Sequence, residues 1–270
     1  MISSYVFQVK TEDVLPSGRA YAFYSCLLSL LPPAFGERMH LPGETPIAQY
    51  IHAEAGTTFW RVNLLDQSAE EAASPVLDGL RSIPLHTGAQ ELELLECART
   101  SAEDLMRQAR ELASQRYITL RFLTPTAFRQ AGNYVVLPEK DLILQSLINK
   151  WNAAFPNYPM EDSDALQMLS DGLRVSDYRL RTGRFLIKDC RIPGFFGSLN
   201  LDTRFSPPIL ELWKLLLVFA ERSGIGIKTA LGMGGVKIQD AGTVNAKKDH
   251  AKEGIPCVAP SVYSGSLCCC

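Results

Sequence analysis

The order in which strand-patterned and helix-patterned segments follow one another constrains this chain more than any single motif. Ser3 to Val9 alternates and is rich in β-formers, which predicts a strand. Arg19 to Leu31 carries Ala22, Cys26, Leu27, Leu30 and Leu31 at helical spacing and is stopped by Pro32-Pro33. A loop with Arg38 and His40 follows. Ile47 to His52 and Thr57 to Leu65 read as strands joined by a hairpin at Ala55-Gly56. Ser68 to Leu80 reads as a helix whose start resembles a capping box, Ser68 with Glu71, and Leu92 to Cys97 as a strand with carboxylates on its outer side. Ser101 to Asp104 opens a helix to about Ser114 that links this half to the next. The same order then begins again. Tyr117 to Leu123 is a strand, and Pro138 starts a helix at a first-turn position that runs to about Ala154. Asn157 to Asp171 is polar and without clear pattern. Leu173 to Leu180 and Arg184 to Cys190 read as a hairpin turning at Thr182-Gly183, with further strand character from Gly197 to Asp202. Pro207-Pro208 precede a helix to Arg222, and a glycine-rich segment leads into a last strand, Val236 to Ile238.

Two successive βαββαβ runs predict an α+β chain of two tandem ferredoxin-like (RRM-like) domains, residues 1–115 and 116–239, followed by a disordered tail, 240–270. The halves repeat in pattern but not in sequence, and the fold hosts many functions. A hydrophobic content of 46% suffices for a core. No apolar run reaches the roughly 18 residues of a membrane span; Leu210 to Ala220 is interrupted by Glu211 and Lys214, and the N-terminus lacks a signal-peptide pattern. Seven cysteines without metal-ligand spacing suit a reduced, cytoplasmic protein. The overall charge of −2 divides unevenly, −7 over residues 1–115 and +5 over 116–238, which hints at an anionic partner for the second half.

Three features carry candidate chemistry. Gly224, Gly226, Gly232, Gly234 and Gly235 fall within twelve residues around Lys228-Thr229. Glycines let a ligand approach main-chain N–H groups, and such nests bind phosphates. The order helix–loop–strand excludes both a Walker A loop and a dinucleotide fingerprint. The basic run Arg179, Arg181, Arg184, Lys188 suits a phosphate backbone, although a solvated sheet face would look the same. Of the four histidines, His40, His52, His86 and His250, none has metal-binding spacing, and His40 lies in a loop beside Arg38, where an imidazole can serve acid–base chemistry. No nucleophile-elbow motif supports a serine hydrolase. A metabolic enzyme on this scaffold finds no cofactor fingerprint.

The C-terminal half resembles the CRISPR-associated endoribonucleases that cut precursor CRISPR RNA within its repeats. The resemblance rests on Leu120 to Phe128 with Leu137-Pro138 and Ser146 to Asn152, on Gly194 to Leu201, and on Leu216 to Ile238. It is weaker in the N-terminal half, over the first helix, the histidine loop, Pro46 to Ile51 and Phe59 to Leu65. It implies attack of a 2′-hydroxyl on the adjacent phosphate without a metal or other cofactor, leaving 2′,3′-cyclic phosphate and 5′-hydroxyl ends. His40 matches the family's catalytic histidine, with His52 as second choice. A lysine common in the family six residues later is Pro46 here, so Arg38 or Arg19 would supply the cation, and Tyr24 and Ser25 would replace an auxiliary tyrosine. RNA is expected on Arg19, Arg61, Arg129, Arg179, Arg181, Arg184, Lys188 and Arg191, and on Gly224, Gly226, Lys228, Thr229, Gly232 and Gly234. The implied partner is CRISPR repeat RNA, as a hairpin or flanking single strand, with effector-complex subunits as further candidates. No membrane is expected, and the state is a monomer or homodimer. The alternative is a non-catalytic repeat-RNA-binding subunit. The triple cysteine Cys268-Cys269-Cys270 departs from the family and reads as an incidental end.

Overall fold

The computed structural model describes residues 1–39, 41, 46–85, 88–112, 116–188 and 190–240. His40, His86, His250 and the tail 241–270 lie outside the described residues, as does the junction at 113–115. The first half comprises β1 (Ile2–Val9), α1 (Ala20–Leu30), α2 (Pro33–Arg38), β2 (Ile47–Glu54), β3 (Thr57–Leu64), α3 (Gln67–Gly79), β4 (Ser82–Leu85) and β5 (Gly88–Thr100), with α4 (Ala102–Glu111) as the link. The second comprises β6 (Tyr117–Thr126), a small hairpin β7 (Phe128–Gln130) and β8 (Asn133–Val135), α5 (Lys140–Ala154), α6 (Ser163–Gly172), β9 (Leu173–Ile187), β10 (Cys190–Thr203), α7 (Pro207–Ser223) and β11 (Val236–Asp240).

Both main sheets have the strand order of a ferredoxin-like unit. Among the described residues they run β2-β3-β1-β5-β4 and β11-β6-β10-β9, antiparallel throughout. In each, the first and third strands of the βαββαβ unit lie side by side at the centre. The chain is therefore α+β with two tandem ferredoxin-like units. The first sheet is extended by β4, a short hairpin partner of β5 that its four-residue length had hidden.

Several local expectations are corrected. The largest concerns the basic hairpin. Thr182-Gly183 is not a turn: β9 runs through it unbroken, Gly183 pairs with Gly194, and the chain reverses after Ile187, where Lys188 adopts φ +50. Gly183 is glycine because a β-carbon there would lie 2.7 Å from the Phe196 ring. Helix α3 is capped by Asp66, whose side chain accepts from the Ala69 amide, rather than by Ser68. Pro138 precedes α5, which starts at Lys140 behind the N-cap Glu139. The polar stretch after Asn157 forms α6, capped by Asp162. Ser101 and Asp104 do form a reciprocal capping box on α4.

The two units share buried surface. Tyr5, Phe7, Phe23, Leu27, Trp60 and Val62 form the first core, and Ala127, Phe185, Ile192 and Met233 from the second half enter it. A second joint packs Leu105 and Ala109 of α4 against Leu215, Val218 and Phe219 of α7. Burying a side chain such as Phe185 contributes roughly 1.5–3 kcal/mol, so Phe185, Ile192 and Met233 stabilise the contact between the units.

Candidate functional site

The glycine-rich segment 224–235 is a packed joint between the two units. β2 is an edge strand, and this segment covers it from both faces. On one face the Gln49 amide donates to the carbonyls of Ala20 (3.1 Å) and Ala230 (3.0 Å) and accepts from the Trp60 indole (2.8 Å). On the other face Tyr50 lies over Gly235, where a β-carbon would come within 2.7 Å of its ring. Beyond them Lys237 pairs with Glu54 at 3.5 Å.

The glycines answer to this packing. A β-carbon at Gly232 would lie 2.4 Å from Ala20 Cβ, at Gly226 2.4 Å from the Ala127 carbonyl, and at Gly234 2.1 Å from the Ile225 carbonyl. Gly224, Gly226, Gly232 and Gly234 also have φ between +65 and +112, where a side chain is strained. Most of their amides are used inside the protein. Gly224 donates to Ala220, Gly226 to the Ser146 hydroxyl, Gly234 to Pro125 and Gly235 to the Thr124 hydroxyl. Within the described residues, the loop amides without an acceptor are those of Lys228, Thr229 and Ala230. The Thr229 hydroxyl is buried without a partner, whereas Lys228 is exposed at φ +57. Of the expected anion cradle only Lys228 is thus exposed among these three, since Thr229 and Ala230 are buried.

The basic strand pair is arranged oppositely. Arg179, Arg181, Arg184, Lys188 and Arg191 are all exposed, and Arg181 lies 4.9 Å over the Phe196 ring. Phe185, between them, is buried beside Ala20 and Gly232. The same strand meets the 3-10 turn Ser17–Arg19 that leads into α1. The fold therefore brings the basic strand, Arg19 and the start of α1 together across the joint.

The other expected residues lie apart from one another. Arg38, at the end of α2, is half-buried and pairs with Asp66 at 2.7 Å. Tyr24 is buried on α1, which pushes its phenol up to about 12, while Ser25 is exposed. A crevice of about 780 Å³ opens beside Arg38, lined by Asp66, Ser101, Phe155 and Tyr158 among others. His52 stands elsewhere. On β2 it points to the face opposite Gln49 and lies at the far end of the strand from Ile47, whose partner Leu64 leads to Asp66. It is buried against Tyr50 and Phe59, its Nδ1 is unpartnered among the described residues, and its Nε2 is 3.9 Å from Glu54. Burial first, then Arg61, lowers its pKa to about 4. Arg61 belongs to this second cluster, and Arg129 lies on β7, exposed. Sequence reasoning missed Gln49, Tyr50 and the buried Lys150, because a polar residue in an alternating strand or helix gives no sign of which neighbour it meets.

Among the described residues no group of three or more His, Cys, Asp or Glu side chains is placed to hold a metal ion. No helix among them is long and apolar enough to cross a membrane.

Comparison with known proteins agrees with this architecture. Residues 120–236 match the family model for the CRISPR-associated endoribonuclease Cas6. A CRISPR-associated endoribonuclease Cas6 from Streptococcus thermophilus is 31% identical over 236 residues, covering 87% of this chain and 97% of the relative. Among solved structures, one Cas6 product complex superposes with a TM-score of 0.73 at 24% identity, over 89% of this chain and all of the other. A second Cas6 product complex gives 0.67 at 25% identity, over 88% and 100%. The chain belongs to the CRISPR-associated endoribonuclease Cas6 family.

Proposed function

We propose that this chain is a cytoplasmic endoribonuclease that cuts precursor CRISPR RNA within its repeats by attack of a 2′-hydroxyl, without a metal. The observation that carries this reading is the joint. It sets the exposed arginines of β9 beside Arg19 and the start of α1, so RNA held on the arginines of one unit would also meet the other unit.

In the proposed reaction the 2′-oxygen bonds to phosphorus as the bond from phosphorus to the 5′-oxygen breaks. One group takes the 2′-hydroxyl proton and another supplies a proton to the leaving 5′-oxygen. A cyclic phosphate and a 5′-hydroxyl result. This needs in-line alignment, fixed cationic or N–H donors at the phosphate, and an acid–base group that titrates near neutrality. His40 is the acid–base group in this reading, and Arg38 and Arg19 are the cations. His52 is the weaker choice, since it is buried on the opposite face of β2.

One observation favours the second reading, an RNA-binding subunit without cleavage. At the family's lysine position, Pro46 brings no charge, and its carbonyl is tied to the Leu65 amide at 2.7 Å. Incubating the purified chain with repeat RNA of its own array in EDTA separates the two. Cleavage with cyclic-phosphate and 5′-hydroxyl ends is expected, slowed by about 10²-fold or more in His40→Ala. Full activity of that variant removes His40 from the mechanism, and tight binding without cleavage by the wild type selects the second reading.

A further inference from the structure

A separate pocket of about 330 Å³ lies between α5 and residues 226–228, with β7 at one end. Its floor is apolar, formed by Phe128 and Leu142, both otherwise buried. Gln145 and Asn149 stand along one wall, one helical turn apart, exposed, and without hydrogen-bond partners among the described residues. Each side-chain amide carries both a donor and an acceptor. Ser146, beside them, accepts the Gly226 amide at 2.8 Å, which leaves its hydroxyl proton to donate. Cations sit at the rim: Arg129 on β7, and Lys228, held at φ +57.

We propose that this pocket seats one unpaired nucleobase of the RNA strand, with Arg129 and Lys228 on the phosphates to either side. The proposal rests on the RNA reading above. Three observations select a base over other occupants. The volume is at the low end of the roughly 300–1,000 Å³ of small-molecule sites, room for one ring system with its sugar rather than a helix. No described lining side chain is acidic, unlike the larger crevice, which holds Asp66 and Glu103. Neutral amides stand along the wall and the exposed cations, Arg129 and Lys228, at the rim, which matches a neutral base edge carried on an anionic backbone. At the back, Lys150 donates to the carbonyls of Ser223 (3.3 Å) and Gly224 (3.0 Å), and burial lowers its pKa to about 7.

The test is abasic scanning. Repeat RNA of the chain's own array is made with an abasic sugar at each unpaired position in turn. Binding is measured for the wild type, for Gln145→Ala with Asn149→Ala, and for Asn149→Trp, which fills the pocket from an exposed helix position. One abasic position is expected to weaken wild-type binding about tenfold, as for loss of one stacked base. Both variants are expected to bind intact RNA about tenfold more weakly and to lose nothing further at that position. Equal effects of every abasic position in all three proteins would overturn the base pocket while leaving the RNA reading intact. Failure of the wild type to bind intact repeat RNA would overturn both.

Discussion

The glycine-rich segment and the basic strand pair look alike as RNA-binding candidates in sequence, yet they occupy opposite situations in the fold. The first is buried at the joint, its glycines required by contacts from Ala20, Ala127, Tyr50 and the segment's own carbonyls. The second projects its arginines into solvent while Phe185, Ile187 and Ile192 pack against the first unit. The difference teaches that glycines mark close approach without saying what approaches. Here it is mostly the protein itself. The segment fixes where the exposed cations of β9 stand relative to the first unit.

This contrast can be broken by experiment. The largest effect is expected at Gly234. Alanine there combines a φ of +74 with a β-carbon 2.1 Å from a carbonyl oxygen, and should cost about 4 kcal/mol or more, or prevent folding. Urea unfolding measures it, and a loss under about 1 kcal/mol would show the segment to be pliant rather than a joint.

The next effect concerns the buried histidine. Its folded pKa of about 4 lies below the ordinary 6.5. Between those values the unfolded chain binds the extra proton, so stability falls as pH drops from about 6.5 to about 4 and changes no further below. The amplitude is at most about 3 kcal/mol. His52→Phe should flatten that slope in urea unfolding between pH 4 and 7. Cleavage by this variant within about twofold of wild type at neutral pH would place His52 in the joint, whereas a loss near the 10²-fold of an acid–base group would return it to the mechanism.

Replacing Arg179, Arg181 and Arg184 together with alanine should weaken RNA binding by roughly tenfold or more and reduce the slope of log affinity against log salt by about 2. Stability should stay within about 0.5 kcal/mol, since these side chains are exposed. An unchanged salt slope would separate this strand from the RNA. The smallest effect is expected for Lys237→Ala. Its pair with Glu54 is exposed on both sides, so thermal unfolding should change by less than about 0.5 kcal/mol.

Much of the fold was readable from local pattern. The alternation of β1, the hairpin turn at Ala55-Gly56, the proline start of α7 and the helix start at Ser101 to Asp104 are signals each segment carries within itself. The misreadings share one cause. Thr182-Gly183 has turn composition, but its glycine answers to Phe196 on the neighbouring strand. Ser68 and Glu71 have capping-box spacing, but Asp66, two residues earlier, takes the cap and also binds Arg38. The site was less legible than the fold. Exposed arginines could be picked out by charge, but the burial of His52, the second choice for the catalytic histidine, against Tyr50 and Phe59 near Arg61 was visible only once β2 was paired.

The glycine-rich segment marks the boundary between the two kinds of knowledge. Sequence alone determined that a glycine-rich backbone able to admit a close approach lies between a helix and a last strand, because composition and order are properties of the chain. Only the tertiary structure decided that the close approach is to β2 and α1. Gln49 and Ala230 are far apart along the chain and meet only when the two units are set side by side. Which groups stay exposed for a ligand is then whatever that docking leaves uncovered, here Lys228 and the arginines of β9.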